Sequence, residues 1–551
     1  MGARQKKNNN SFLIQGAILA TASIVVRLIG LVYRIPLTNI IGDEGIGFYS
    51  CAFEVYGTAL LLSSFSLPLA VSKLVSARVI KGEFKNAFRV FKGALYFALV
   101  VGAIISVIIF FGAGFIAKHI MTLELSSYAL RVLAPGLLIV AIMGVIRGYF
   151  QGLGTMIPTA ASQIIEQIIN AIVSIIGASY LFHVGKKIGE AKGNELMGPA
   201  MGAAGGTLGT VMGALAACIF LAFIVYAYSG IIKRKLKSDQ GKDMESYHQI
   251  VVILFMTIAP VILSSAVYNI AQVLDQGVFN KVMFAQGYAV KEYVAIWGVY
   301  SGKSSLLINV PMSIANAIGT SVIPSLVAVM AMKNKKHIHQ KIHLAIRFTM
   351  VIAIPSFVGY VVLASPLMQL LFGDARKQPA YMLMLGAITV VFYCLATVMN
   401  AILQGLNKLA VPVVNAAISL VIHLIALFIM LVMFKWGIYA VIVSNIIFAL
   451  IMWTLNSRAI TKTIGYHQEK AKTFIIPGIA SIIMGVITWM VHRILDAWIG
   501  GRIATIIALI IAVITYGVSL LMLGGLTESE IISLPGGSAL TTVLKKVHLL
   551  K

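Results

Sequence analysis

The chain has 551 residues, 59% of them hydrophobic and 11% charged, with a mean hydropathy of +0.95; these values exclude a soluble globular protein and identify an integral membrane protein. Its net charge of +25 is dispersed in short basic clusters between apolar stretches, which argues against nucleic acid as a partner and for contact with anionic membrane lipid. Cys51, Cys218 and Cys394 lie far apart in apolar stretches, so neither a disulfide framework nor a zinc site is expected.

With windows of about 20 residues as the criterion, apolar spans fall near 12–35, 46–75, 93–117, 127–151, 157–182, 198–232, 249–279, 294–330, 345–372, 380–404, 411–434, 437–456, 474–495 and 503–525. They predict an all-α polytopic membrane protein with about fourteen transmembrane helices. The first span is too long for a signal-peptide core and no small-residue cleavage site follows it, so the amino terminus is expected to be retained. Across alternate connections, 26 Lys and Arg residues fall on one side and 11 on the other. The positive-inside rule then puts both termini of a multi-pass cell-membrane protein in the cytoplasm.

The chain also repeats itself. Gln151-Gly152-Leu153 followed by Pro158 recurs as Gln404-Gly405-Leu406 followed by Pro412, and Ser66-Leu67-Pro68-Leu69 faces Asn309-Val310-Pro311-Met312. The expected organisation is an amino-terminal lobe of six helices (1–232), a cytoplasmic linker (233–248), a carboxy-terminal lobe of six helices (249–460), and a segment (461–551) with two additional helices and a tail. In parallel-repeat transporters of this plan the substrate site lies between the lobes.

Charged residues inside the expected spans are few: Arg27, Arg34, Glu54, Lys73, Arg131, Arg147, Glu166, Asp275 and Lys303. Each costs roughly 2.5–3.5 kcal/mol at a bilayer centre on insertion scales, so each is a candidate functional residue. Arg27 and Arg34, seven residues apart, share a helix face. Arg27 is expected to lie too deep to reach a headgroup, whereas Arg34, Arg131, Lys73 and Arg147 lie near span ends, where snorkelling is an alternative. Lys303, in Tyr300-Ser301-Gly302-Lys303-Ser304-Ser305, falls near mid-span. With six deep cations against three carboxylates, the cavity they line should favour an anion, and guanidinium groups match phosphate oxygens in bidentate fashion. Arg27, Arg34, Lys73, Arg147 and Lys303 are therefore the substrate-binding candidates. Glu54, Glu166 and Asp275 are cavity carboxylates that either pair with these cations or, in the case of Asp275, bind a coupling cation or proton.

Pro68, Pro135, Pro260, Pro311, Pro324 and Pro355 are expected to kink or interrupt spans. The run Gly198 to Gly213 reads as small-residue helix packing, not as a nucleotide loop, because no GxxxxGK[ST] follows. His339 and His343 stand one helical turn apart in a basic connection without cysteine or carboxylate neighbours, so no metal site is expected there. No cofactor is called for. Energy should come from a sodium or proton gradient, the membrane potential or substrate flux, since no segment outside the membrane is long enough for an ATPase.

The early Arg27-Leu-Ile-Gly-Leu-Val-Tyr-Arg34-Ile-Pro helix, the basic amino terminus, the Gln-Gly-Leu…Pro repeats and the twelve-plus-two layout resemble the stage V sporulation protein B / YtgP branch of the polysaccharide transporter family. That branch belongs to the multidrug/oligosaccharidyl-lipid/polysaccharide flippase superfamily and is similar to MurJ-type lipid II flippases; the resemblance covers essentially the whole chain. It implies alternating access by a single chain, not an enzyme. The cationic cavity would take the pyrophosphate and sugar headgroup of an undecaprenyl-linked precursor for peptidoglycan, and hence for the cell wall and cell shape. In MurJ-type proteins essential arginines lie on helices 1, 2 and 8. Arg27 and Arg34 match the first set, while Lys73 and Lys303 occupy the other two regions as lysines. The terminal helix pair is associated in the family with a groove for the lipid tail. The alternatives are a flippase for another lipid-linked oligosaccharide and a MATE-like cation or drug antiporter. The antiporter would call for a carboxylate-dominated cavity. A membrane-embedded enzyme acting on lipid-linked sugars would call for a long outer loop with paired carboxylates.

Overall fold

The computed structural model describes residues 2–64, 67–239, 241, 243–331, 335–526, 528 and 541; of these, the side chains at 2–17, 20, 62, 259–269, 324–325, 328 and 331 are not described. All regular structure among the described residues is helical. Among the described residues twelve helical stretches are long and apolar enough to cross a membrane, and the protein is a multi-pass membrane protein. Packing divides the chain into two compact units, Met1–Gly302 and Lys303–Lys551. The repeat read from the sequence divides at 233–248 instead; it rests on a recurring motif and not on packing.

The first unit opens with α1 (Gly2–Ser63), whose two helical stretches, corresponding to the first two expected spans, meet at a break at Gly42. Gly42 has φ 72°, a left-handed conformation that favours glycine, so the break sits where no side chain resists it. The expected span 46–75 ends early: α2 (Leu67–Ile80) starts afresh with Pro68 in its first turn, where a missing N–H costs no helical hydrogen bond. Then follow α3 (Phe84–Phe115), extended by a π-helical turn at Ile116–Ile120, α4 (Ser126–Gly152), α5 (Ile157–Lys192), α6 (Met197–Ala227) and the short basic α7 (Ser229–Lys237). The glycine run lets α5 and α6 touch backbone to backbone: a Cβ on Gly205 would lie 2.1 Å from the Gly177 carbonyl oxygen, and one on Gly209 2.1 Å from Ser174 Oγ.

Next, α8 (Tyr247–Ala285) starts at a capping box between Ser246 and Gln249 and contains the expected span 249–279, of which the side chains at 259–269 lie outside the description. The unit ends with α9 (Val290–Val299), which lies hard against α1. A Cβ on Gly298 would lie 1.8 Å from the Asp43 carbonyl oxygen, and one on Gly47 2.2 Å from that of Val294.

The second unit holds α10 (Ser305–Ala331), preceded by a π-helical turn at Tyr300–Ser304, then α11 (Lys335–Val362), α12 (Ala364–Phe372), α13 (Lys377–Gly405), α14 (Ala410–Val432) and α15 (Ile438–Ile464). A partly buried amide chain ties three of these helices: Asn456 Nδ2 donates to Asn400 Oδ1 at 2.7 Å, and Asn415 Nδ2 to Asn456 Oδ1 at 2.8 Å. The last two helices, α16 (Ile476–Ile499) and α17 (Gly501–Met522), pack together and onto α11, where Tyr516 donates to the Val351 carbonyl at 2.7 Å.

Candidate functional site

The sequence-selected residues separate into groups with different fates. In the first unit, Arg34 sits two turns before the Gly42 break, and Tyr49 sits two turns after it. The guanidinium carbon of Arg34 stands 5.9 Å from the centre of the Tyr49 ring, within cation–π range. Tyr49, Phe53 and Tyr56 recur at helical spacing on one face of α1 and their rings follow one another, with centroids 4.5 Å and 6.0 Å apart. Arg34 forms no ion pair among the described residues; its carboxylate neighbour is Glu54, which in turn faces Asp275. Asp275 is 3% exposed and is followed on α8 by Gln276 and Asn280, both fully buried. Gln276 Nε2 reaches the Gly47 carbonyl at 3.4 Å, and Asn280 Nδ2 donates to the Met121 carbonyl at 2.8 Å. Their amide oxygens, Oε1 and Oδ1, are buried without a hydrogen-bond partner. These atoms have unused capacity to accept a proton donor or a cation.

At the far end of the aromatic row, Tyr56 faces Glu166. Glu166 is taken up by Arg147, whose NH2 lies 2.7 Å from Glu166 Oε2 while its Nε donates to Ser162 Oγ at 2.9 Å. The structure thus joins Arg34, Glu54 and Asp275 in one charged cluster and pairs Arg147 with Glu166. It leaves Arg27, Lys73 and Arg131 exposed on α1, α2 and α4. Arg27, the deeper of the pair in the sequence, is the exposed one, and Arg34 is the one packed on a ring.

In the second unit Lys303 stands at the π-helical turn, 5% exposed, with Nζ 2.6 Å from Asp374 Oδ2. Arg376 grips the same carboxylate, Nε at 2.9 Å from Oδ1 and NH2 at 2.6 Å from Oδ2. Burial of Asp374 raises its pKa, but the hydrogen bonds from Arg376 and Lys303 prevail and hold it below the usual carboxylate range. Arg347 is likewise buried, 3% exposed within α11, and donates to the Gly525 carbonyl.

Sequence reasoning missed three kinds of participant. The Tyr49-Phe53-Tyr56 face was legible as an i, i+4, i+7 pattern. Asp374, in a short loop, carries no mark that it turns inward. Gln276 and Asn280 carry no charge, and charge was the selection criterion. No group of three or more His, Cys, Asp or Glu side chains suited to a metal ion occurs among the described residues.

Residues 13–330 match the family described as "Polysaccharide biosynthesis protein", more than half of the chain. The chain is 27% identical over 430 residues to the lipid II flippase MurJ of Bacillus subtilis (strain 168), covering 76% of this chain and 77% of that protein. It is 24% identical over 454 residues to the stage V sporulation protein B of the same organism, covering 82% and 84%. Among solved structures, a lipid II flippase MurJ in an inward closed conformation superposes with a TM-score of 0.65 at 14% identity, covering 91% of this chain and 98% of that one.

Proposed function

The chain belongs to the polysaccharide biosynthesis protein family; it is a transporter, not an enzyme, and we propose that it flips an undecaprenyl-pyrophosphate-linked cell-wall precursor, lipid II in the first place, across the cytoplasmic membrane by alternating access. The relative named a lipid II flippase supports the substrate class. The observation that carries the reading is Arg34. It is a fixed cation packed on a tyrosine ring in a membrane helix, without an ion pair among the described residues, two turns from a helix break. A guanidinium so placed offers two parallel N–H donors to a phosphate, which a lysine cannot match.

In this reading Arg34 takes the pyrophosphate and the Tyr49-Phe53-Tyr56 face lies along the sugar. Arg27 and Lys73, being exposed, meet the headgroup as it enters. Glu54 and Asp275 respond to the coupling ion, sodium or proton, with the unpartnered oxygens of Gln276 and Asn280 beside them. Arg147–Glu166 and Lys303–Asp374 are then internally neutralised supports. Both termini lie in the cytoplasm, the chain works as a monomer among membrane lipids, and no other cofactor takes part. An antiporter for cationic drugs fits less well. Glu166 and Asp374 are already neutralised by basic partners, and Glu54 sits beside Arg34.

The test is translocation of a fluorescent lipid II by the purified protein in liposomes. Wild type should move it and Arg34→Ala should not, with binding of the soluble pyrophosphoryl-sugar headgroup lost in parallel. Equal translocation by the two would remove the reading. Selective transport of a different lipid-linked glycan would keep the mechanism and replace the substrate.

A further inference from the structure

A cleft of about 110 Å³ lies in the first unit between α3, α4 and α7, lined by Phe84, Tyr149, Phe150, Thr155, Tyr228, Ile231 and Lys235 among others. We propose that it is a specific binding site for an anionic phospholipid, with the phosphate on the basic face of α7 and the upper part of one acyl chain in the aromatic cleft.

The site is built from α7 upward. The sequence Ser-Gly-Ile-Ile-Lys-Arg-Lys-Leu-Lys puts Ile232 and Leu236 one turn apart, and both pack into the core beneath. Lys233, Arg234, Lys235 and Lys237 remain exposed around them. Among the described residues none of these four cations is ion-paired, although acids lie nearby in sequence. Two of those acids are engaged elsewhere. Glu245 is held by Arg78 at 2.5 Å and Asp239 accepts from the Lys85 backbone N–H at 2.9 Å, while the backbone carbonyl of Asp243 accepts from Asn86 Nδ2 at 2.9 Å. The same contacts fasten the segment after α7 to the turn between α2 and α3, so α7 is held over the cleft with its charge unspent.

The lining chemistry identifies the occupant. Rings with a polar tip, Tyr149 and Tyr228, line the cleft beside Phe84 and Phe150, and such rings prefer the headgroup level of a bilayer. Lys235 stands with Nζ 5.8 Å from the Phe84 ring centre, at the junction of charged face and apolar slot. Ile231 and Tyr228 are 48% and 42% exposed, so the slot opens outward. A free phosphate would use the cations and leave the slot empty; a zwitterionic lipid would use the slot and leave four cations uncompensated. An anionic phospholipid uses both.

The experiment is native mass spectrometry of the full chain purified from vesicles of phosphatidylglycerol and phosphatidylcholine at 1:3. Wild type should retain one phosphatidylglycerol after stepwise delipidation. The triple variant Lys233→Gln, Arg234→Gln, Lys235→Gln should lower its retention at least about tenfold, on the order of what cations at a membrane surface contribute. Ile231→Trp, at an exposed position, fills the slot and leaves all four charges in place, and should lower retention comparably. Neutralising the three lysines Lys335, Lys336 and Lys341 at the start of α11 should change nothing. Undiminished retention in Ile231→Trp, equal loss in the α11 variant, or displacement of the lipid by inorganic phosphate would each reduce the site to diffuse surface charge and overturn the proposal.

Discussion

Arg34 in the first unit and Lys303 in the second are both cations beside an irregularity in a membrane helix, the Gly42 break and the π-helical turn at Tyr300–Ser304. Lys303 is answered by Asp374, 71 residues further along, and that carboxylate by Arg376 as well, whereas Arg34 is answered by a ring and forms no ion pair among the described residues. The difference teaches that depth in a span sets the cost of a charge but not how the cost is met. A charge met by an opposite charge is locked into structure. One met by polarisable rings stays available to a ligand.

The largest effect should come from breaking the locked pair. Asp374→Asn strips a buried lysine and an arginine of their common acceptor and should cost about 3–5 kcal/mol of stability, read as a large fall in Tm in detergent. Lys303→Met should cost much less, because Asp374 keeps Arg376; equal losses would mean that Arg376 contributes nothing. The pH dependence has a definite sign. Since the folded pKa of Asp374 is depressed, its stabilisation is fully present above the unfolded carboxylate value of about 3.9 and disappears as the pH falls through the lower folded value. The gap in Tm between wild type and Asp374→Asn should therefore be constant from pH 8 to pH 5 and close only below about pH 4.

Arg34→Ala sharpens the other half of the comparison. Loss of a charge-assisted contact to phosphate, about 1.5–3 kcal/mol, predicts a roughly ten- to hundredfold drop in headgroup affinity with no loss of Tm, since removing an unpaired cation eases burial. Arg34→Lys should fall between, and Arg27→Ala should do less than Arg34→Ala. A Tm loss in Arg34→Ala matching that of Asp374→Asn would make Arg34 a structural residue.

Arg147→Gln tests an intermediate case, a half-buried pair with an extra hydroxyl acceptor. It should cost about 1–3 kcal/mol, partly restored by adding Glu166→Gln, because the double variant leaves no lone buried charge. The smallest effect is expected at Lys291–Glu195, 2.6 Å apart but fully solvated, where Lys291→Ala should leave Tm unchanged. A measurable fall there would show that exposure does not grade these pairs.

Much of the helical plan was legible because a bilayer demands long apolar runs. The spans expected at 127–151, 380–404, 411–434 and 503–525 became Ser126–Gly152, Lys377–Gly405, Ala410–Val432 and Gly501–Met522. Hydropathy fared less well where backbone geometry intervenes. Nothing in the apolar count announces that a span expected to run unbroken from 345 to 372 divides at Leu363.

The sequence by itself determined the membrane class, the order of the spans and the list of charges that must be accommodated, since these follow from composition and from the price of burying a charge. Only the tertiary structure decided which of those charges are neutral in sum. Pairing depends on which side chains distant loops and neighbouring helices bring within about 3 Å, and electrostatic energy at that range is governed by position, not by count. Asp374 turned inward to Lys303, Glu166 to Arg147, and Tyr49 under Arg34 are three such positions.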